Sequence, residues 1–151
     1  MQAPERIQPQ KLGDYLEIMT KAVFQSGISW KVVQSKWPGI KNAFMDFDAE
    51  TVAQFSEFEL EALVQDTRVI RNRRKLEAIV SNAQRMLELD EQFGGFQQYL
   101  RSHADFRSTV QDIRKQFKFM GDTETMYFLY VVGEEVPSHD EWVESRINRP
   151  K

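Results

Sequence analysis

The chain has 151 residues, of which 41% are hydrophobic and 28% charged, with a formal net charge of −3. That length suits one domain with one core, and the acidic balance argues against a protein that coats nucleic acid by bulk charge. The absence of cysteine excludes disulfides, thiol nucleophiles and thiolate metal sites, and no apolar run approaches the roughly 20 residues that span a bilayer. The opening residues, MQAPERIQPQKLGDY, lack the basic head and apolar stretch of a secretory signal, so a cytoplasmic protein is expected.

Apolar residues recur at helical spacing from one end of the chain to the other. Residues 11–24 carry Leu12, Leu16, Ile18, Met19, Ala22 and Val23 on such a repeat. Ser26 and Gly27 break it, and Ser29 is placed to cap a second helix over residues 30–37, which Pro38-Gly39 is predicted to end. A short helix is expected over 40–47, and Asp48 stands as an N-cap ahead of Val52 and Phe55. Ser56 and Glu59 have the spacing of a capping box, with Phe58, Leu60, Leu63 and Val64 predicted to share the buried face behind them. A longer helix over 73–89 turns Leu76, Ile79, Val80, Ala83 and Met86 inward. A glycine turn leads to a short helix, another helix spans 108–115, and a turn at Met120-Gly121 opens an apolar helix ending near Gly133. No strand-like alternation persists, so the expected fold is all-α: many short helices in a single domain over residues 1–151, with mobile ends at about 1–10 and 145–151.

Four stretches could carry chemistry. TRVIRNRRKLEAI concentrates Arg68, Arg71, Arg73, Arg74 and Lys75 on an otherwise acidic chain, either as a solvated helix start or as a contact with phosphate. FKFMGDTETMYFLY sets a tight turn before a helix whose first amides lack partners, which favours an anion, with Lys118 on the approach side; an ordinary helical hairpin fits the same residues. In FQSGISWKVV, Ile28 could wedge a base stack and Trp30 could stack on an extruded base, or both could belong to the core. In VGEEVPSHDEW, Asp140 could stabilise an oxocarbenium-like sugar, or cap a helix. His103 and His139 are the only histidines, too few for a zinc site without cysteine.

FQSGISWKVVQSKWPGIKNAFMDFDAETVA, LEALVQDTRVIRNRRKLEAIVSNAQRMLEL and FKFMGDTETMYFLYVVGE, in that order, resemble the 3-methyladenine DNA glycosylase I family of the helix–hairpin–helix DNA glycosylase superfamily. The resemblance runs from about Leu12 to Asp140. It implies a two-lobed all-α fold that flips an alkylated purine such as 3-methyladenine out of double-stranded DNA and hydrolyses its N-glycosidic bond. It implies base-binding by Trp30, Phe24 and Ala22, a duplex-probing loop of Gln25, Ser26, Gly27 and Ile28, and catalysis by Asp140. Lys118, Phe119, Met120, Gly121, Asp122 and Thr123 fall on the phosphate-gripping hairpin, and Arg71, Arg73, Arg74 and Lys75 on the basic junction that can face the DNA backbone. Ala22 occupies the place of the family's pocket glutamate, Phe119 that of the hairpin's first glycine, and Glu141 that of a zinc-ligating histidine. A zinc-free monomer is therefore expected, with a monovalent cation conceivable at the hairpin. The alternative is a catalytically inactive module that binds damaged DNA on the same scaffold.

Overall fold

Eight α-helices form where apolar residues recur every three or four positions, in a computed structural model that describes residues 4–138. They are α1 (Leu12–Gln25), α2 (Trp30–Ala43), α3 (Ala49–Ala53), α4 (Glu57–Gln65), α5 (Arg73–Phe93), α6 (Phe96–Leu100), α7 (Phe106–Gln116) and α8 (Asp122–Val131). A single 3-10 turn spans Met45–Phe47, and no strand occurs among the described residues, so the all-α expectation holds. None of the described helices is long and apolar enough to cross a membrane.

Helix α5 is central: α1, α3, α4 and α6 pack against it, α1 also carries α8, and α7 packs on α8. Its inward residues Leu76, Ile79, Val80, Ala83 and Met86 are all buried, as their spacing predicts. Several boundaries are set by single side chains. Asp48 accepts from the Thr51 amide at 3.1 Å to start α3, and Asn72 accepts from the Lys75 amide at 3.2 Å to start α5. Ser56 and Glu59 form the reciprocal box at the start of α4, at 3.2 and 3.3 Å. Ser29 occupies the N-cap position of α2, but its hydroxyl makes no capping bond.

Three local expectations fail for tertiary reasons. Pro38-Gly39 does not end α2, which runs on to Ala43 and absorbs the start of the helix expected over 40–47. Continuing the helix buries Ile40 and Ala43 alongside Trp37, and that burial outweighs the hydrogen bond Pro38 cannot make. Gly39 serves a different purpose: a Cβ there would lie 3.1 Å from the Arg68 Cβ, so the α4–α5 connection passes close over α2. Phe58 is 83% exposed, because the buried stripe of α4 is Leu60 and Leu63, and a residue two positions from Leu60 lies on nearly the opposite side of the helix. Residues 6 and 7 are anchored rather than free: the Ile7 amide donates to the Val131 carbonyl at 2.7 Å, and Arg6 donates to the carbonyls of Tyr130 and Glu134 at 2.9 and 2.7 Å. These bonds satisfy the open carbonyl end of α8. The terminal segment 145–151 lies outside the described residues.

Gly13 is where α1 meets the 3-10 turn. A Cβ on it would collide with the Phe47 carbonyl oxygen, which is backbone and cannot rotate away. Gly13→Ala is therefore expected to destabilise the protein by about 1–3 kcal/mol, against the roughly 0.5–1 kcal/mol that alanine normally gains over glycine inside a helix. Urea unfolding of the variant measures the sign directly.

Candidate nucleic-acid interface and base pocket

The turn between α1 and α2 depends on Gly27, whose φ of +77° lies in the left-handed region and whose missing side chain faces open space. This reversal leaves Gly27 exposed at the tip and places Ile28 half-buried against the core. Trp30 then opens α2 with 38% of its surface exposed, its ring edge-on to Tyr127 at 6.5 Å. Tyr127 belongs to α8 and faces an open groove of about 910 Å³ lined also by Thr123, Met126, Tyr130 and Arg6. Burial pushes the Tyr127 hydroxyl above its ordinary pKa, while the neighbouring Gln25 amide pulls the other way. Tyr127 therefore lies between the groove it lines and the exposed indole of Trp30, and paired aromatic rings of this kind suit a flat ligand.

Phe24 and Ala22, expected at the base, are buried and do not line the groove beside α8. Phe24 is 0% and Ala22 1% exposed, both part of the hydrophobic core. The reason is helical geometry: these residues lie on the stripe that also buries Leu16, Met19 and Val23. The carboxylates on nearby helices are engaged elsewhere. Glu17 accepts from the Trp37 indole at 2.9 Å and pairs with Lys41 at 3.3 Å, Asp14 accepts from the Gln10 amide at 2.8 Å, and Asp122 pairs with Arg114 at 2.9 Å. Asp140 and Glu141 lie outside the described residues.

The hairpin forms between α7 and α8. Phe117 and Met120 are buried and hold it down, while Lys118 is exposed and Phe119 is 38% exposed. Phe119 has a φ of +60°, which explains why glycine suits that place in the family and puts a cost of about 1–2 kcal/mol on the phenylalanine. The Gly121 amide donates to Glu124 at 3.1 Å, so this amide, expected to grip phosphate, already holds a carboxylate. Lys118 and Phe119 join Arg74 along a pocket of about 490 Å³.

The basic run divides by partner. Arg73 pairs with Glu57 at 3.4 Å, Glu61 at 2.5 Å and Glu77 at 3.0 Å, so here it faces carboxylates of α4 and of its own helix. Its place at the start of α5, facing the acidic surface of α4, imposes that role. Lys75 is 5% exposed and donates to the Ser26 carbonyl, so it is unavailable to DNA from this position. Arg71 and Arg74 are exposed and form no ion pair among the described residues. Sequence reasoning missed Tyr127, although it stands within the hairpin stretch; the outward spacing of Thr123, Met126, Tyr127 and Tyr130 on α8 was the available sign.

Among the described residues no three His, Asp or Glu side chains are grouped to hold a metal ion. His103 is tied into a structural network instead, its Nε2 2.8 Å from Asp112, which also accepts from the Tyr99 hydroxyl at 2.8 Å.

The protein-family profile for methyladenine glycosylase matches residues 9–133. A DNA-3-methyladenine glycosylase of Haemophilus influenzae is 27% identical over 130 residues, covering 72% of this chain and 70% of its own. DNA-3-methyladenine glycosylase 1 of Escherichia coli is 28% identical over the same shares. Among solved structures, a variant of 3-methyladenine DNA glycosylase I in complex with 3-methyladenine superposes with a TM-score of 0.73 at 26% identity, over 84% of this chain and 80% of that one. The helical order, the turn before Trp30 and the hairpin before α8 thus lie inside one continuous match over most of the sequence, and the chain belongs to the methyladenine glycosylase family.

Proposed function

We propose that this protein is a zinc-free, monomeric DNA glycosylase of the cytoplasm that excises an alkylated purine, such as 3-methyladenine, from double-stranded DNA after flipping it. The observation that carries the reading is Trp30, a large aromatic left 38% exposed at the start of α2 and edge-on to Tyr127 beside a groove. Residues 25–28 enter the duplex, with Ile28 filling the gap the base leaves. Trp30 stacks on the extruded purine, and a cationic alkylated base gains further from the ring face. Arg71, Arg74 and Lys118, with the hairpin residues after Gly121, take the backbone phosphates.

The chemistry asked of the protein is modest. An alkylated purine carries positive charge, so the C1′–N bond breaks with its electron pair leaving on the base, which becomes neutral. The sugar is left as an oxocarbenium ion, which the Asp140 carboxylate stabilises. Water then adds to C1′ and gives its proton to that carboxylate.

Ala22 favours a second reading. A methyl group stands where the family keeps a pocket glutamate, so an inactive module that binds damaged DNA is the alternative. Release of free bases from methylated duplex DNA, resolved by chromatography with Asp140→Asn alongside, separates the two. Released 3-methyladenine or 7-methylguanine, lost in Asp140→Asn, is the expected result. No release, with salt-sensitive binding to abasic duplex retained, makes the protein a damage reader.

A further inference from the structure

Helix α5 carries two buried polar side chains that reach the two loops flanking the proposed DNA face. Lys75, in its first turn, is 5% exposed, and its Nζ donates to the carbonyl of Ser26 in the turn after α1. Asn82 is 2% exposed and holds Lys118 of the hairpin through both backbone groups: its Oδ1 accepts from the Lys118 amide at 2.8 Å, and its Nδ2 donates to the Lys118 carbonyl at 3.1 Å. Residues seven apart lie on one helix face, so both loops are referenced to the same rigid rod. The Lys75 Nζ also lies over the Phe119 ring, 5.9 Å from its centre, so the same ammonium faces the hairpin.

A buried ammonium is costly, and a methionine or leucine would fill the same space more cheaply. Burial holds the Lys75 pKa below its ordinary value; the charge of Glu124, at the start of α8, opposes that shift. The lysine therefore costs folding stability at a place where it joins the turn of residues 26–28 to the hairpin. A wedge that enters a duplex while a second loop grips the backbone has to arrive at a fixed separation from that grip. Errors of about 1 Å in such positioning reduce rates by about 100-fold.

We propose that Lys75 is a positioning residue for base extrusion, fixing the 26–28 turn, and with it Ile28 and Trp30, relative to the phosphate-binding hairpin. The proposal rests on the glycosylase reading given above. Lys75→Met keeps the length and apolar stem of the side chain and removes the ammonium. Its thermal midpoint should stay level or rise, since an apolar replacement removes a desolvation cost. Amides 26–29 should exchange with solvent at least about tenfold faster, and single-turnover excision at saturating DNA should fall about 10- to 100-fold. Affinity for undamaged duplex should change by less than about threefold, because the exposed cations remain. Lys75→Arg should recover part of the excision. Lys36→Met is the control, because Lys36 makes the same kind of bond, to the Thr67 carbonyl at 3.1 Å, and neither residue lines the groove or belongs to the 26–28 turn or the hairpin; it should alter none of these readouts.

Unchanged exchange and unchanged excision in Lys75→Met would overturn the proposal. So would a lowered thermal midpoint with excision per folded molecule intact, which would make Lys75 a packing residue. If the unaltered protein releases no base, the glycosylase reading fails on its own, and the exchange of amides 26–29 still decides whether Lys75 holds the turn.

Discussion

Phe24→Ala is expected to cost about 3–5 kcal/mol of folding stability, the range for emptying a buried phenylalanine site. In a chain of this size that lowers the thermal midpoint by about 6–20 °C. Phe24 is 0% exposed and meets Trp37 edge-on at 6.5 Å. Trp37 stacks on Phe47 at 5.4 Å, Phe47 on Phe44 at 5.4 Å, and Phe44 on Phe55 at 6.0 Å. One aromatic row therefore runs from behind the duplex-probing turn to the end of α3, and Phe24 closes its first position. Removing that ring leaves a void between helices that cannot collapse without moving Trp37. Excision per folded molecule, measured well below the transition, should persist, because the ring does not face the groove. A variant with an unchanged midpoint and lost excision would return Phe24 to the base pocket.

The pairing of sequence with structure was clearest where the cause is local. Asp48, Ser56 and Asn72 each satisfy an amide three residues on, and such bonds need nothing from the rest of the chain. Pro38 is the opposite case: its effect on α2 is decided by Ile40 and Ala43, which bury against elements distant in sequence. The basic run shows the same limit for the site. Arg73 and Arg74 are adjacent, yet about 100° apart around α5, so one faces the carboxylates of α4 and the other faces solvent. Their different fates depend on where α4 lies, which no local pattern encodes. Lys75 reads as one more surface cation until Ser26 is found above it. Phe24 and Trp30 reverse the usual expectation for neighbouring aromatics, because the left-handed Gly27 turns the chain between them.

Trp30→Ala is expected to reduce single-turnover excision about 10- to 100-fold, since stacking a base on an aromatic side chain is worth about 1–3 kcal/mol. The same change should cost about 1–3 kcal/mol of stability, less than Phe24→Ala, because 38% of the Trp30 surface is already in solvent. Separation of the two effects is what distinguishes Trp30 from Phe24. Among the described residues its ring contact is the edge of Tyr127 at 6.5 Å, and 38% of the residue is exposed to a ligand. Trp30→Phe keeps a smaller stacking surface and should fall between the alanine variant and the unaltered protein. Tyr127→Ala should also lower excision, through the orientation of the indole, with a smaller effect than Trp30→Ala. The loss should be larger for a cationic purine than for a neutral one, because only the former draws on the ring's negative face. Comparing release of 3-methyladenine with release of a neutral alkylated base measures that difference. Equal losses on both would leave stacking area as the whole contribution of Trp30, and no loss on either would place the flipped base elsewhere along the groove of α8.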